Sequence, residues 1–303
     1  MHRAIAAWLT ERPWRAALGA AFCGAFAPQM PMPFMVLAGA IPVLIALHFD
    51  SKQALIMAAT AAAAATWLLL SLAPEMPWLT VGVVGVIVMP VLLALLLKRT
   101  GSLNLCFQLT VAGITAMVIA VYAALSDPAS VWVGLLNKAA QQAGAAGLHM
   151  PSDTRVIIDQ WARTMWGGLA ALTLATVLAA LFLGCWWETL LQSPGRFGAE
   201  YRQLRLGAVL GVAVTVLFVA VFVTDSALVG SLAWVAFAAL SFQGLAAAHR
   251  SKAGGKLNRG WLAAIYVLLI VPISTSITVV VLAIWGFADN WLRPRLAQGG
   301  ARF

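Results

Sequence analysis

VGVVGVIVMPVLLALLL, residues Val81 to Leu97, contains no ionisable side chain. In hydrocarbon every backbone N–H and C=O must pair internally, so a run this apolar forms either an α-helix or a strand of a closed barrel. Barrel strands alternate polar and apolar residues over short segments. Here the run is continuous, as is GAVLGVAVTVLFVAVFV from Gly207 to Val223, and a helix is expected for both. Working outward, apolar stretches fall at roughly 15 to 28, 34 to 48, 53 to 73, 78 to 97, 103 to 125, 164 to 187, 206 to 224, 227 to 247 and 260 to 287. The expected fold is all-α, a polytopic transmembrane helical bundle of 8 to 9 segments forming a single domain over 1–303. The first two stretches are short, and Pro28, Pro31 and Pro33 between them suggest a tight hairpin.

Composition agrees. The chain is 62% hydrophobic and 10% charged, against about 25% charged in a soluble domain. Its net charge of +9 reflects membrane topology and contact with anionic headgroups; the lipid bilayer is the expected partner and nucleic acid is not. Cys23, Cys106 and Cys185 lie in or beside apolar runs without a CxxC pair, so they read as small apolar packing residues. The start resembles a cleavable signal peptide through Arg12, Arg15 and Ala25-Phe26-Ala27, but Pro28 is a poor cleavage context and a first transmembrane helix is expected instead.

Lysine and arginine in short loops set orientation. With the N-terminus in the cytoplasm of a bacterial inner membrane, Arg3, Arg12, Arg15, Lys52, Lys98, Arg99, Arg196, Arg202, Arg205, Arg250, Lys252, Lys256 and Arg259 fall inside, against Lys138, Arg155 and Arg163 outside. Nine crossings would put Arg293, Arg295 and Arg302 outside, against that bias. Pro272, followed by Ser274, Thr275, Ser276 and Thr278, offers two alternatives: a re-entrant last segment with eight crossings, or one kinked span with an external tail. Outside the membrane, roughly 126 to 162 form a linker with an interfacial helix over Ser130 to Gly147 and a helix start at Ser152, and basic loops cover about 188 to 206 and 248 to 260. Tryptophans near segment ends, among them Trp14, Trp78, Trp186, Trp187, Trp261, Trp285 and Trp291, read as an interfacial belt.

Catalytic patterns are absent. No Asp, Glu, Lys, Arg or His lies inside a segment, which weighs against proton relays and ion-coupled carriers. His2, His48, His149 and His249 fall in loops or at segment ends with no HExxH pair, GxSxG elbow or Walker motif, so no metal, cofactor or catalytic residue is expected. Glu188, Glu200 and His249 are the remaining acid or base candidates for an interfacial enzyme.

Three polar or small-residue constellations stand out. Arg196, Glu200, Arg202 and Arg205 lie in one short cytoplasmic stretch suited to an anionic headgroup, a protein partner or orientation alone. Ala16 with Ala20 and Gly207 with Gly211 have small-xxx-small spacing for helix packing. Gln243 and the cluster Ser274, Thr275, Ser276 and Thr278 are the polar groups expected to meet within the membrane as a small-ligand site, or simply to satisfy backbone freed by Pro272.

Phe197 through Gly207, Phe242-Gln243-Gly244-Leu245-Ala246 with His249, and Gly286-Phe287-Ala288-Asp289-Asn290-Trp291 with Arg293 resemble the uncharacterised bacterial membrane family labelled YybS-like or DUF2232. That family is similar to the substrate-binding subunits of energy-coupling-factor vitamin transporters. The resemblance implies a small-molecule binding or transport component, and a coupling partner docked on a face such as Ala16, Ala17, Ala20 and Ala21. The alternative is a membrane scaffold that binds a cytoplasmic protein through its arginine-rich loop.

Overall fold

Apolar runs punctuated by proline, glycine and basic residues give, in a computed structural model describing residues 2–27, 31–72, 74, 79–147 and 154–292, helices and no strand among the described residues. They are α1 (His2–Glu11), α2 (Pro13–Phe26), α3 (Pro31–His48), α4 (Ser51–Leu72), α5 (Leu79–Thr100), α6 (Leu103–Ala124) and α7 (Pro128–Ala145). There follow α8 (Thr154–Gln192), α9 (Arg196–Tyr201), α10 (Gly207–Val223), α11 (Ala227–Ala253), α12 (Arg259–Ile270) and α13 (Pro272–Leu292). Among the described residues six of these, α4, α5, α6, α8, α11 and α13, are long and apolar enough to cross a membrane, whereas α3, α10 and α12 are apolar but shorter. The expected Ser152 helix cap, Trp78, His149 and the tail arginines Arg293, Arg295 and Arg302 lie outside the described residues.

The chain forms two compact units, one drawn from Met1–Phe107 and Ala175–Leu204, the other from Gln108–Leu174 and Arg205–Arg293. In the first, α3 is the central helix: Val43, Leu44, Ile45 and Ala46 are each fully buried, because it is apolar all round and is covered on every side. Its seam with the end of α8 is made by glycines, since a Cβ at Gly184 would lie 2.4 Å from Val43 Cγ1 and one at Gly39 would lie 3.0 Å from Ala180 Cβ. The contacts 39 with 180 and 43 with 184 advance in step, so α3 and α8 run parallel and finish together. His48 there meets Glu188 at 3.1 Å, and Lys98 from α5 donates to Ala46 O and Phe49 O, the otherwise orphaned carbonyls at the end of α3. On α2, Ala16, Ala20, Cys23 and Gly24 share one buried face, with a Gly24 Cβ only 2.3 Å from Ala61 O of α4. All three cysteines are buried and none forms a disulfide; Cys106 donates through Sγ to Leu93 O at 3.4 Å.

In the second unit α11 and α13 form the tightest pair. A Cβ at Gly244 would lie 1.9 Å from Leu282 O, and one at Gly286 would lie 2.0 Å from Leu240 O. Leu240 faces Gly286 and Gln243 faces Asp289; Ser241 faces Val279 and Gly244 faces Leu282. Each step of three residues on one helix is matched by three on the other, so the two run parallel. The stretch 260 to 287 is therefore not one segment. Val271 is extended (φ −76°, ψ 117°), Pro272 supplies no N–H to continue α12, and α12 runs back between two parallel helices. At the other end of this unit Tyr122 Oη donates to Arg163 O, and a Cβ at Gly167 would lie 2.3 Å from Ser231 Cα, which ties α6 and α8 to the start of α11.

The α7 helix begins on Asp127, whose carboxylate accepts from the N–H groups of Ala129 and Ser130, and it has no buried residue, as expected of a helix on a surface. In contrast α10 leaves Val209, Val216 and Phe222 at 84%, 63% and 89% exposure. So much apolar surface is stable only against hydrocarbon or another apolar partner.

Two measurements check these elements. Gly244→Val and Gly286→Val drive a side chain into a neighbouring backbone, and are expected to lower the melting temperature of the detergent-solubilised protein sharply, whereas Gly85→Ala, which meets open space, is neutral or slightly stabilising. A side-specific reporter placed at Gly255 and one fused after Leu292 are expected to report the same compartment; opposite signals would contradict the parallel pairing of α11 and α13.

Candidate functional site

Arg205 and Leu206 end the link from α9 and Gly207 opens α10, so their backbone groups lie at or before the first turn of a helix of apolar side chains. Such groups need partners from elsewhere. The Leu206 N–H donates to Gln243 Oε1 at 2.9 Å, and Gln108 Nε2 donates to Arg205 O at 3.0 Å and Leu206 O at 3.1 Å. Asn290 clamps Gly207 on both sides, accepting from its N–H through Oδ1 and donating through Nδ2 to its carbonyl, each at 3.2 Å. Gly207 has φ +82°, a conformation that favours glycine. Gly211, one turn on, makes room for the clamp, because a Cβ there would lie 2.2 Å from Asn290 Nδ2.

The charged part of this hub sits beside it. Asp289 accepts from Gln243 Nε2 at 3.4 Å and pairs with the Arg250 guanidinium, while Arg205 donates through Nη2 to Asn290 O at 2.8 Å. Gln243 is fully buried and Asn290 nearly so. One end of this unit therefore binds α6, α10, α11 and α13 to one linker through polar groups that satisfy one another.

The sequence candidates distribute as follows. Gln243 meets Leu206 and Asp289, and no hydrogen bond joins it to the Ser274 to Thr278 cluster among the described residues. In that cluster Ser274 donates to Leu268 O and Val271 O, Thr275 to Leu269 O and Val271 O, and Thr278 to Ser274 O, so these three hydroxyls serve the backbone around the break; Ser276 is exposed. Arg205 belongs to the hub. In the other unit Arg196 pairs with Glu200 at 2.8 Å along α9, and Tyr201 is buried against Phe182 at 5.3 Å between ring centroids, with Arg202 just beyond. Ala16 and Ala20 are fully buried within their own unit. Glu188 meets His48, and His249 meets Tyr266 Oη at 2.8 Å. No group of three or more His, Cys, Asp or Glu residues that could hold a metal occurs among the described residues.

A cleft missed by the sequence reading lies between α10, α11 and α13, with a volume of about 310 Å³. Phe218, Val221 and Phe222 come from α10, Ala233, Phe237 and Leu240 from α11, and Ala283, Ile284 and Phe287 from α13. Every one of these is apolar. Phe218 lies 5.2 Å from Phe237 and 6.0 Å from Phe287, ring to ring, and forms the floor with them. The cleft is a wedge, since α10 touches α13 at Gly211 and Asn290 but is held off by phenylalanine two turns later. Helical spacing of 233, 237 and 240 was a signal for one face of α11, but nothing in the sequence distinguished a cleft from a packed core.

No family model matches this chain, and no curated protein or solved structure matches it. The site's chemistry rests on its own geometry. The Arg250–Asp289 pair predicts a double-mutant cycle: Asp289→Asn leaves a half-buried guanidinium without its counter-charge, and should cost about 2 kcal/mol, somewhat under the usual figure for a buried pair because Arg250 retains some exposure. Combining Asp289→Asn with Arg250→Gln is expected to cost less than the sum by about 1 kcal/mol. Strict additivity in thermal denaturation would show that the pair does not couple α11 to α13.

Proposed function

We propose that this chain is a multi-pass protein of a bacterial cytoplasmic membrane that binds a small lipophilic molecule, as a binding or transport component. The observation that carries the reading is the wedge between α10, α11 and α13, which is ligand-sized and wholly apolar. The nearest strong polar groups, Gln243 and Asn290, are engaged in the hub, and Ser274, Thr275 and Thr278 serve the α12–α13 break. A polar solute would have to displace those bonds; an apolar one would not.

The N-terminus is assigned to the cytoplasm. Each unit by itself gathers basic residues at one end, Lys98 where α3, α5 and α8 finish in the first, and Arg205, Arg250 and Lys252 at the hub end in the second, and the bias of short-loop lysine and arginine toward the cytoplasm supports the assignment. With α12 and α13 counted as a returning pair, the apolar stretches have an even number of passes and the tail rejoins that side. The α12 helix is 12 residues long, roughly 18 Å, which suits a partial crossing and the re-entrant alternative for the last segment.

Resemblance to the YybS-like family supports a binding component. An energising partner would dock somewhere other than Ala16 and Ala20, which are fully buried. The scaffold reading has one observation in its favour: α9 is a folded helix pinned by Tyr201, which fixes the arginine-bearing stretch as a surface feature.

The test is to fill the wedge. Ala233→Trp with Ala283→Phe is expected to preserve folding and to remove at least one lipophilic species that co-purifies with the wild type under gentle extraction, read by mass spectrometry. Identical co-purifying molecules in both would overturn the proposal, and a protein partner lost on Arg202→Glu, with no lipophile, would favour the scaffold.

A further inference from the structure

The wedge has a closed end and an open end. It closes where Gly211 seats against the Asn290 amide, a contact so near that a Cβ would lie 2.2 Å from Nδ2. It opens toward Val221 and Phe222, the last of which is 89% exposed. Nothing inside it offers a hydrogen bond. An occupant must therefore be hydrocarbon along its inserted length, with any polar part outside the open end.

That end carries a cation. Three residues beyond Phe222 stands Asp225, which receives Arg163 Nη2 at 3.0 Å on both its carbonyl and its carboxylate. A guanidinium has five N–H donors; only Nη2 of Arg163 has a hydrogen bond among the described residues, and the side chain is 47% exposed. Asp225 is 91% exposed, so its carboxylate is well solvated and a weak competitor. Trp161, 65% exposed and two residues before Arg163, sits where an aromatic side chain marks the border between hydrocarbon and headgroups. A hydrocarbon slot whose open end lies within one helical turn of Asp225, the residue that holds the partly exposed Arg163 guanidinium, matches a chain bearing a phosphate.

We propose that the wedge takes one acyl chain of a phospholipid from the leaflet opposite the hub end, with the lipid phosphate on Arg163. The proposal rests on the lipophile-binding reading and specifies its ligand. The chain enters between Phe222 and Ala233 and runs toward Phe287, and the guanidinium supplies a charge-assisted contact to the phosphate. Because the rings of Phe218, Phe237 and Phe287 bound the slot, they are the groups nearest the chain terminus.

The experiment uses the full chain in nanodiscs containing a phosphatidylglycerol with a diazirine near the end of one acyl chain. After irradiation, adducts are mapped by peptide mass spectrometry. Adducts are expected on Phe218, Phe237 or Phe287 at several times the yield on the lipid-facing Val209, Val212 and Val216, to fall about tenfold in Ala283→Phe, and to fall severalfold in Arg163→Gln but not in Arg163→Lys. Even labelling of all these positions, or wedge labelling indifferent to Arg163→Gln, would overturn the proposal. If the filled wedge loses a co-purifying lipophile that is not a phospholipid, this inference fails and the lipophile-binding reading stands. If filling the wedge changes nothing, both fail.

Discussion

Where Gly244 and Gly286 let the backbones of α11 and α13 touch, the rest of the second unit is decided. A close approach of two helices in an apolar medium gains little from the hydrophobic effect, since lipid tails are as apolar as the side chains they replace; what it gains is dispersion contact and the chance to pair polar groups. Both gains are present. The glycine contacts bring Gln243 within reach of Asp289 and place Arg250 beside the same carboxylate. Had the helices met at ordinary side-chain separation, Gln243 would be a fully buried amide with its partners out of reach, at a cost comparable to a lost hydrogen bond or more.

From that contact the linker follows. The chain must pass from α9 into α10 with no regular hydrogen bonds at 205 to 207, and a polar backbone in apolar surroundings demands partners. Gln108, Gln243 and Asn290 supply them from three different helices. Gly207 provides the positive φ and Gly211 the space for Asn290. The GxxxG spacing at 207 and 211 thus makes room for an amide side chain, a use that its usual association with helix dimers does not suggest.

Much of the helical layout was legible in the sequence, because a continuous apolar run allows only one backbone solution; Pro272 marked a break without deciding it, since α3 runs through Pro42 and α5 through Pro90. Gln243 was also picked out, by its amide in apolar text, while Asp289-Asn290 stood out only within the stretch that carries the family resemblance. Their partners were not. Gln243 was expected to face Ser274 to Thr278, but pairing across helices depends on the relative direction and register of α11 and α13, which neither periodicity nor composition encodes. Of the two alternatives for 260 to 287, the single kinked span hid that direction and the re-entrant one carried it; with α12 a separate returning helix, α13 runs parallel to α11 and presents Asp289 instead. The Ala16 and Ala20 spacing was legible as a packing face, while the identity of the covering helix, α4, depended on a topology that the sequence left open.

The hub and the wedge are two consequences of one geometry. Asn290 and Arg205, with Gly207 and Gly211, draw α10 onto α13 at one end, and the bulk of Phe218, Phe237 and Phe287 prevents the same approach two turns away. A helix held tightly at its start and propped open along its length leaves a gap whose shape is fixed by the tight end. Since every lining group is apolar and the nearest amides are already engaged, such a gap discriminates among occupants by width and length alone, with any finer selectivity supplied at its mouth by Arg163.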